Sequence, residues 1–152
     1  MLLNLTVNNW MSYREETSLT LVGSRERQHA ETLAKLPAFR SKKALPIAEV
    51  FGGNASGKTG LFKALACLRQ MVTRDPGVDG PVPVVPFMLD GKSAASPTLL
   101  DATFLAQGVV YRLMEEATRS SGSYEYLEVV RDGSTIDVCE RDASVDTFDL
   151  NQ

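Results

Sequence analysis

Residues Gly52-Gly53-Asn54-Ala55-Ser56-Gly57-Lys58-Thr59, followed by Gly60, carry the clearest chemistry in the chain. They match G-x-x-x-x-G-K-[ST], the phosphate-binding P-loop pattern. Glycines let the backbone take positive φ and approach a phosphate without a Cβ in the way. Successive N–H groups turned inward make an anion nest, and a helix starting near Lys58 would aim its positive end at the same place. Lys58 would bridge the β- and γ-phosphates, and the Thr59 hydroxyl would ligate the Mg²⁺ that the nucleotide brings. The expected cofactors are therefore ATP and Mg²⁺. The expected binding residues are Gly52, Gly53, Asn54, Ala55, Ser56, Gly57, Lys58, Thr59 and Gly60, with Thr59 as the metal ligand. The competing reading is a glycine-rich turn in front of a core helix.

The motif needs a strand before it and a helix after it. Ile47-Ala48-Glu49-Val50-Phe51 is a short apolar run that reads as the strand. Leu61, Phe62, Leu65, Leu68 and Val72 fall at helical spacing, which predicts a helix over Thr59 to Val72 with one apolar stripe. Asp75-Pro76-Gly77 stops it. Upstream, Leu3, Leu5 and Val7 alternate with polar residues, and so do Leu19 and Leu21, predicting two strands that could pair antiparallel. Residues 24–45 read as a basic loop with a short helix around Glu31 to Leu36. Residues 76–97 hold five of the seven prolines and read as an extended connector. Beyond it, alternation over residues 100–106, 109–113, 124–130 and 135–140, with a hairpin signal at Asp132-Gly133, predicts an antiparallel meander of about four strands. The last dozen residues lose the pattern.

Within the loop, Asn54-Ala55-Ser56 resembles the Asn-Gly-Ser of ABC and SMC-type ATPases. The run Leu5-Thr6-Val7-Asn8-Asn9-Trp10-Met11-Ser12-Tyr13-Arg14 resembles the opening strand and turn of SMC-like heads. Thr17 to Arg27, Pro86-Phe87-Met88-Leu89-Asp90, Ser96-Pro97-Thr98 and Thr103 to Arg112 are similar, in order, to segments of a bacterial AAA/ABC ATPase family. That family is akin to the overcoming-lysogenization-defect and abortive-infection ATPases. The likeness runs from Met1 to about Arg141. It implies an α/β fold: a P-loop NTPase, specifically the N-terminal lobe of an ABC/SMC-like head with an antiparallel β-meander after the P-loop helix. It also implies ATP binding, a second ATPase head or a C-terminal lobe as partner, and a weak link to phage defence.

The chain departs from that family in several places. Met11 stands where an arginine is usual, which leaves Arg14 as a possible replacement. No Walker B run ending in Asp-Glu, no L-S-G-G signature and no switch histidine is found; His29 is the one histidine. The expectation is an incomplete lobe spanning residues 1–152: strands, P-loop and helix over 1–75, connector over 76–97, meander over 98–141 and tail over 142–152. Two alternatives stay open. One is a compact P-loop kinase or phosphotransferase using Asp90 or Asp101 as base. The other is a non-catalytic interaction module or truncated remnant.

The composition fits one globular domain: 152 residues, 43% hydrophobic, 23% charged. Net charge is −3, which excludes a global polycation for nucleic acid. Locally, Arg25, Arg27, Lys35, Arg40, Lys42 and Lys43 make residues 24–43 basic, a weak pointer to nucleic acid or an effector protein. Residues 113–152 hold ten acids. Cys67 and Cys139 are expected as reduced thiols, with Cys67 packed as a small hydrophobe. With no signal peptide and no apolar run of membrane length, a cytoplasmic location and no membrane partner are expected. Trp10 and Tyr13 could stack on adenine or anchor the core. Strand alternation puts Glu115 and Glu116 on opposite faces, and both read as solvated charge.

Overall fold

The computed structural model describes residues 1–23, 31–36, 42–73, 81–131 and 134–151. Nine strands and two helices occur among them. In chain order these are β1 (Leu2–Asn8), β2 (Thr17–Thr20), β3 (Ala34–Lys35), β4 (Lys43–Ala44), α1 (Lys58–Thr73) and α2 (Gly91–Ala95). β5 (Thr98–Ala106), β6 (Val109–Ala117), β7 (Gly122–Arg131), β8 (Ser134–Asp142) and β9 (Thr147–Leu150) follow. Seven strands form one sheet in the order β2-β1-β5-β6-β7-β8-β9, and every neighbouring pair is antiparallel. β3 and β4 make a separate two-stranded sheet.

This corrects the expected α/β P-loop NTPase fold. Such a fold alternates parallel strands with helices, whereas the described residues form a mostly antiparallel β structure with one long helix. The run read as the strand before the loop belongs to no sheet: residues 47–51 form neither strand nor helix, with Ile47 78% and Phe51 85% exposed. A short apolar run carries no pairing information of its own, and no strand lies beside this one. The residues at 142–152, expected to lose the pattern, supply β9, which pairs with β8 from Cys139↔Leu150 to Asp142↔Thr147. The strand alternation after Pro97 gives β5 to β8 as expected. Asp75-Pro76-Gly77 and Asp132-Gly133 lie outside the described residues.

The core follows from the alternation. Leu5 and Val7 of β1 pair with Ala102 and Leu100 of β5, and all four point to the face on which α1 packs. Leu61, Ala64, Cys67 and Leu68 of α1 meet them there. The predicted helical stripe is narrower than its five residues, because Phe62 and Val72 are exposed. On the opposite face Leu3 and Val110 pack with Leu36 and Ala44, beside the small sheet. α1 packs mainly on β1 and β5, and Leu113 and Ala117 of β6 join the same core.

Candidate functional site

The site is assembled from the turn after β1. Asn9 is buried at φ 50°, a conformation asparagine tolerates better than most residues. Its side-chain NH₂ donates to the carbonyls of Ser93, Ser96 and Pro97 at 2.8, 2.9 and 3.0 Å. Its side-chain oxygen accepts from the Phe87 N–H at 3.0 Å, and its own carbonyl accepts from the Thr98 hydroxyl at 2.8 Å. One residue thus ties β1 to the connector, α2 and β5. The Met11 N–H adds a bond to the Val85 carbonyl at 2.7 Å. Trp10 and Tyr13 exchange backbone bonds at 2.8 and 2.7 Å, closing a tight turn.

That turn carries the loop. Trp10 is 2% exposed, and its indole N–H donates to the Gly60 carbonyl in the first turn of α1 at 2.8 Å. The Tyr13 hydroxyl donates to the Gly57 carbonyl at 3.0 Å. Trp10 is therefore a core anchor with no face free for a base. Gly57 has φ 90°, and a Cβ there would lie 2.9 Å from the Ser12 hydroxyl oxygen and 3.0 Å from that of Tyr13. Only glycine fits the position both conformationally and sterically.

Gly52 to Ser56 stand out from the body, all exposed. Ala55 takes φ 62°, so the backbone reverses twice, at Ala55 and Gly57. Lys58 folds back over the loop. Its ammonium donates to the Gly52 carbonyl at 2.5 Å, the Gly53 carbonyl at 2.6 Å and the Ser56 hydroxyl at 3.3 Å. Of the N–H groups that open α1, that of Gly60 is taken by the Gly57 carbonyl at 2.7 Å. No acidic residue lies in the first turn of α1, so its positive end is not neutralised from within. Thr59 is exposed on this turn, and Asn54 sits at the loop tip. The structure thus gathers Gly52 to Gly60 around one cation and one helix end. Among the described residues no group of His, Cys, Asp or Glu could hold a metal ion. A lone Thr59 hydroxyl suits Mg²⁺ only when phosphate oxygens complete the shell.

The other residues singled out have different duties. Arg14 pairs with Asp90 at 3.3 Å and lies 3.6 Å from Glu15. Asp90 caps α2, accepting from the Ser93 N–H at 2.6 Å and the Ser93 hydroxyl at 2.9 Å, and these bonds hold its carboxyl below the usual range. Asp101 sits on the sheet face opposite α1, gripped by Arg112 at 2.8 and 3.0 Å. Neither acid is placed as a base at the loop. Arg25, Arg27, His29 and Arg40 lie outside the described residues. Cys67 is buried, and desolvation, with Glu115 adding to it, pushes its thiol up to about 11.

Glu115 departs from its sequence reading as solvated charge. It does point away from Glu116, but it is only 7% exposed on the α1 side of the sheet. Burial first, then the Glu125 charge, push its carboxyl up to about 8, with Arg141 opposing. Two further features escaped the sequence reading. Asn9 looked like a strand breaker, yet its partners lie 78 to 89 residues away. α2 is five residues long, and its one advance signal was an Asp at 90 with a Ser three residues on.

No protein-family model matches the chain, and no curated protein matches it either. Among the described residues no helix is long and apolar enough to cross a membrane.

Proposed function

We propose that loop 52–60 binds the triphosphate of ATP with Mg²⁺. The observation that carries this reading is the Lys58 ammonium held over the loop by Gly52, Gly53 and Ser56, with Ala55 and Gly57 in positive-φ conformations beneath it. A cation fixed beside an unneutralised helix N-terminus favours a polyanion there. In this reading Lys58 turns from the loop carbonyls to the β- and γ-phosphate oxygens. Thr59 supplies one oxygen to the Mg²⁺ that bridges them. Trp10 and Tyr13 hold the loop from below.

Hydrolysis also requires a carboxylate to polarise the attacking water. Asp101 faces away from α1 and Asp90 is engaged as a helix cap. The resemblance to ABC and SMC-type ATPases supports drawing that acid from a second ATPase head or a further lobe. In this reading the chain is the phosphate-binding half of an ATPase.

Calorimetric titration of Mg·ATP into the protein and into Lys58→Ala tests the binding. The expected loss is about tenfold or more in affinity, about 1.4 kcal/mol. Equal affinity of the two proteins would overturn the reading.

A further inference from the structure

A cleft of about 240 Å³ lies apart from the loop, between the connector, the C-terminal end of α2 and the β6–β7 turn. Its floor is apolar and well packed: Val84 is 4% exposed, Ala117 0%, and Pro86 is also buried. Thr98 lines it too, but its hydroxyl is committed to the Asn9 carbonyl at 2.8 Å. The Thr118 hydroxyl at the rim accepts from the Ser121 N–H at 3.2 Å, which fixes the turn. Arg119 is the one charged side chain lining the cleft.

Arg119, in the β6–β7 turn, differs from Arg112 and Arg141 of the neighbouring strands. Arg112 is held by Asp101 and Glu128, and Arg141 by Glu125. The Arg119 guanidinium has no acidic partner among the described residues. Its backbone is nevertheless fixed, because its carbonyl accepts from the Val82 N–H at 3.2 Å. A guanidinium without an acidic partner among the described residues, lining a cleft whose floor is apolar and whose rim is polar, on an anchored turn, suits an anion with an apolar body.

The geometry points to a small monocarboxylic acid with a compact branched apolar group as the ligand of this cleft. Size sets one limit, since 240 Å³ is below the ~300–1,000 Å³ of pockets that hold drug-sized ligands. Charge sets the other. One arginine balances one carboxylate, whereas a phosphate monoester brings about 1.5 to 2 negative charges. The carboxylate sits on the Arg119 fork, and the branched end covers Val84, Pro86 and Ala117. This site is independent of the P-loop reading, and either can fail without the other.

The test is an NMR titration with 4-methylpentanoate, its uncharged amide and a tripeptide ending in a leucine carboxylate. Saturable shifts at Ala94, Ala95, Thr118 and Ser120 are expected with the acid, at least about tenfold weaker binding with the amide, and the same loss in Arg119→Gln. Arg119 and Ala95 are exposed, so Arg119→Gln and Ala95→Phe should keep the fold, and Ala95→Phe should abolish binding by filling the cleft. No saturable binding of the acid would overturn the proposal. So would equal binding of acid and amide, or unchanged affinity in either variant. Tighter binding of the tripeptide than of the acid would also overturn it, assigning the cleft to a chain terminus instead.

Discussion

The two halves of the sheet are held together differently. Beneath α1, Asn9 and Trp10 tie the turn after β1 to the connector, α2, β5 and α1, and Leu5, Val7, Leu100 and Ala102 line the inward face. From β6 to β9 the side-chain bonds run between neighbouring strands, as in Arg112 to Glu128, Tyr124 to Glu140 and Arg141 to Glu125. There the α1-side row reads Glu115, Glu125, Arg141 and Phe148 across four strands. Phe148 is 62% and Leu150 59% exposed on the last strand. The candidate loop is attached to the first half. A loop that must place a lysine to within an ångström needs a support with few alternatives, and the Asn9 turn is such a support. The far half carries instead a titratable buried carboxylate and an open apolar edge.

The sharpest way to break the contrast is Asn9→Ala. It removes the partners of the Phe87 N–H and of the Ser96 and Pro97 carbonyls, and should cost about 3 kcal/mol in urea unfolding. In the far half, Glu115 should make stability depend on pH. Its folded pKa of about 8 is above its unfolded value, so the native state binds the extra proton between the two. The contribution of Glu115 to stability is therefore fully present below about pH 4.5 and is lost as pH rises through about 8. Glu115→Gln should be more stable than the parent at pH 9 by about 2–3 kcal/mol, and the difference should vanish at low pH. Thermal melts across that pH range read both arms.

Two milder variants sharpen the comparison. Trp10→Phe removes the buried indole donor to Gly60 and should cost about 2 kcal/mol by circular dichroism. Gly57→Ala forces a Cβ into a left-handed position against Ser12 and Tyr13, a penalty of about 1–2 kcal/mol. It should abolish Mg·ATP binding while the sheet stays intact. At the bottom of the scale, Phe62→Ala on the exposed side of α1 should change stability by less than about 0.5 kcal/mol.

Alternation made most of the strands legible, through Leu5 and Val7 and then residues 100–106 and their successors, although a register shift between Leu2 and Asn4 sends Leu3 to the other face. The fold class was not legible. It rested on the resemblance of segments from Met1 to about Arg141 to an ABC/SMC-like ATPase family, and the run at 47–51 has the composition of a strand but belongs to none. The helix at 58–73 was legible, but periodicity could not tell that Phe62 and Val72 lie outside the contact with β1 and β5. The loop residues were legible one by one, because G-x-x-x-x-G-K-[ST] is a local pattern. Their support was not: Asn9 to Pro97 and Trp10 to Gly60 are contacts between distant segments. Alternation put Glu115 and Glu116 on opposite faces but gave Glu115 the wrong environment, since residue type alone does not reveal its burial.

Mapping amide chemical-shift changes on addition of Mg·ATP tests whether the loop at 52–60 receives the phosphates. The largest changes are expected on Gly53 to Gly60, with smaller ones at Ser12 and Tyr13 beneath, and Lys58→Ala should suppress them. Changes centred elsewhere on the sheet, or a map that Lys58→Ala leaves intact, would contradict it.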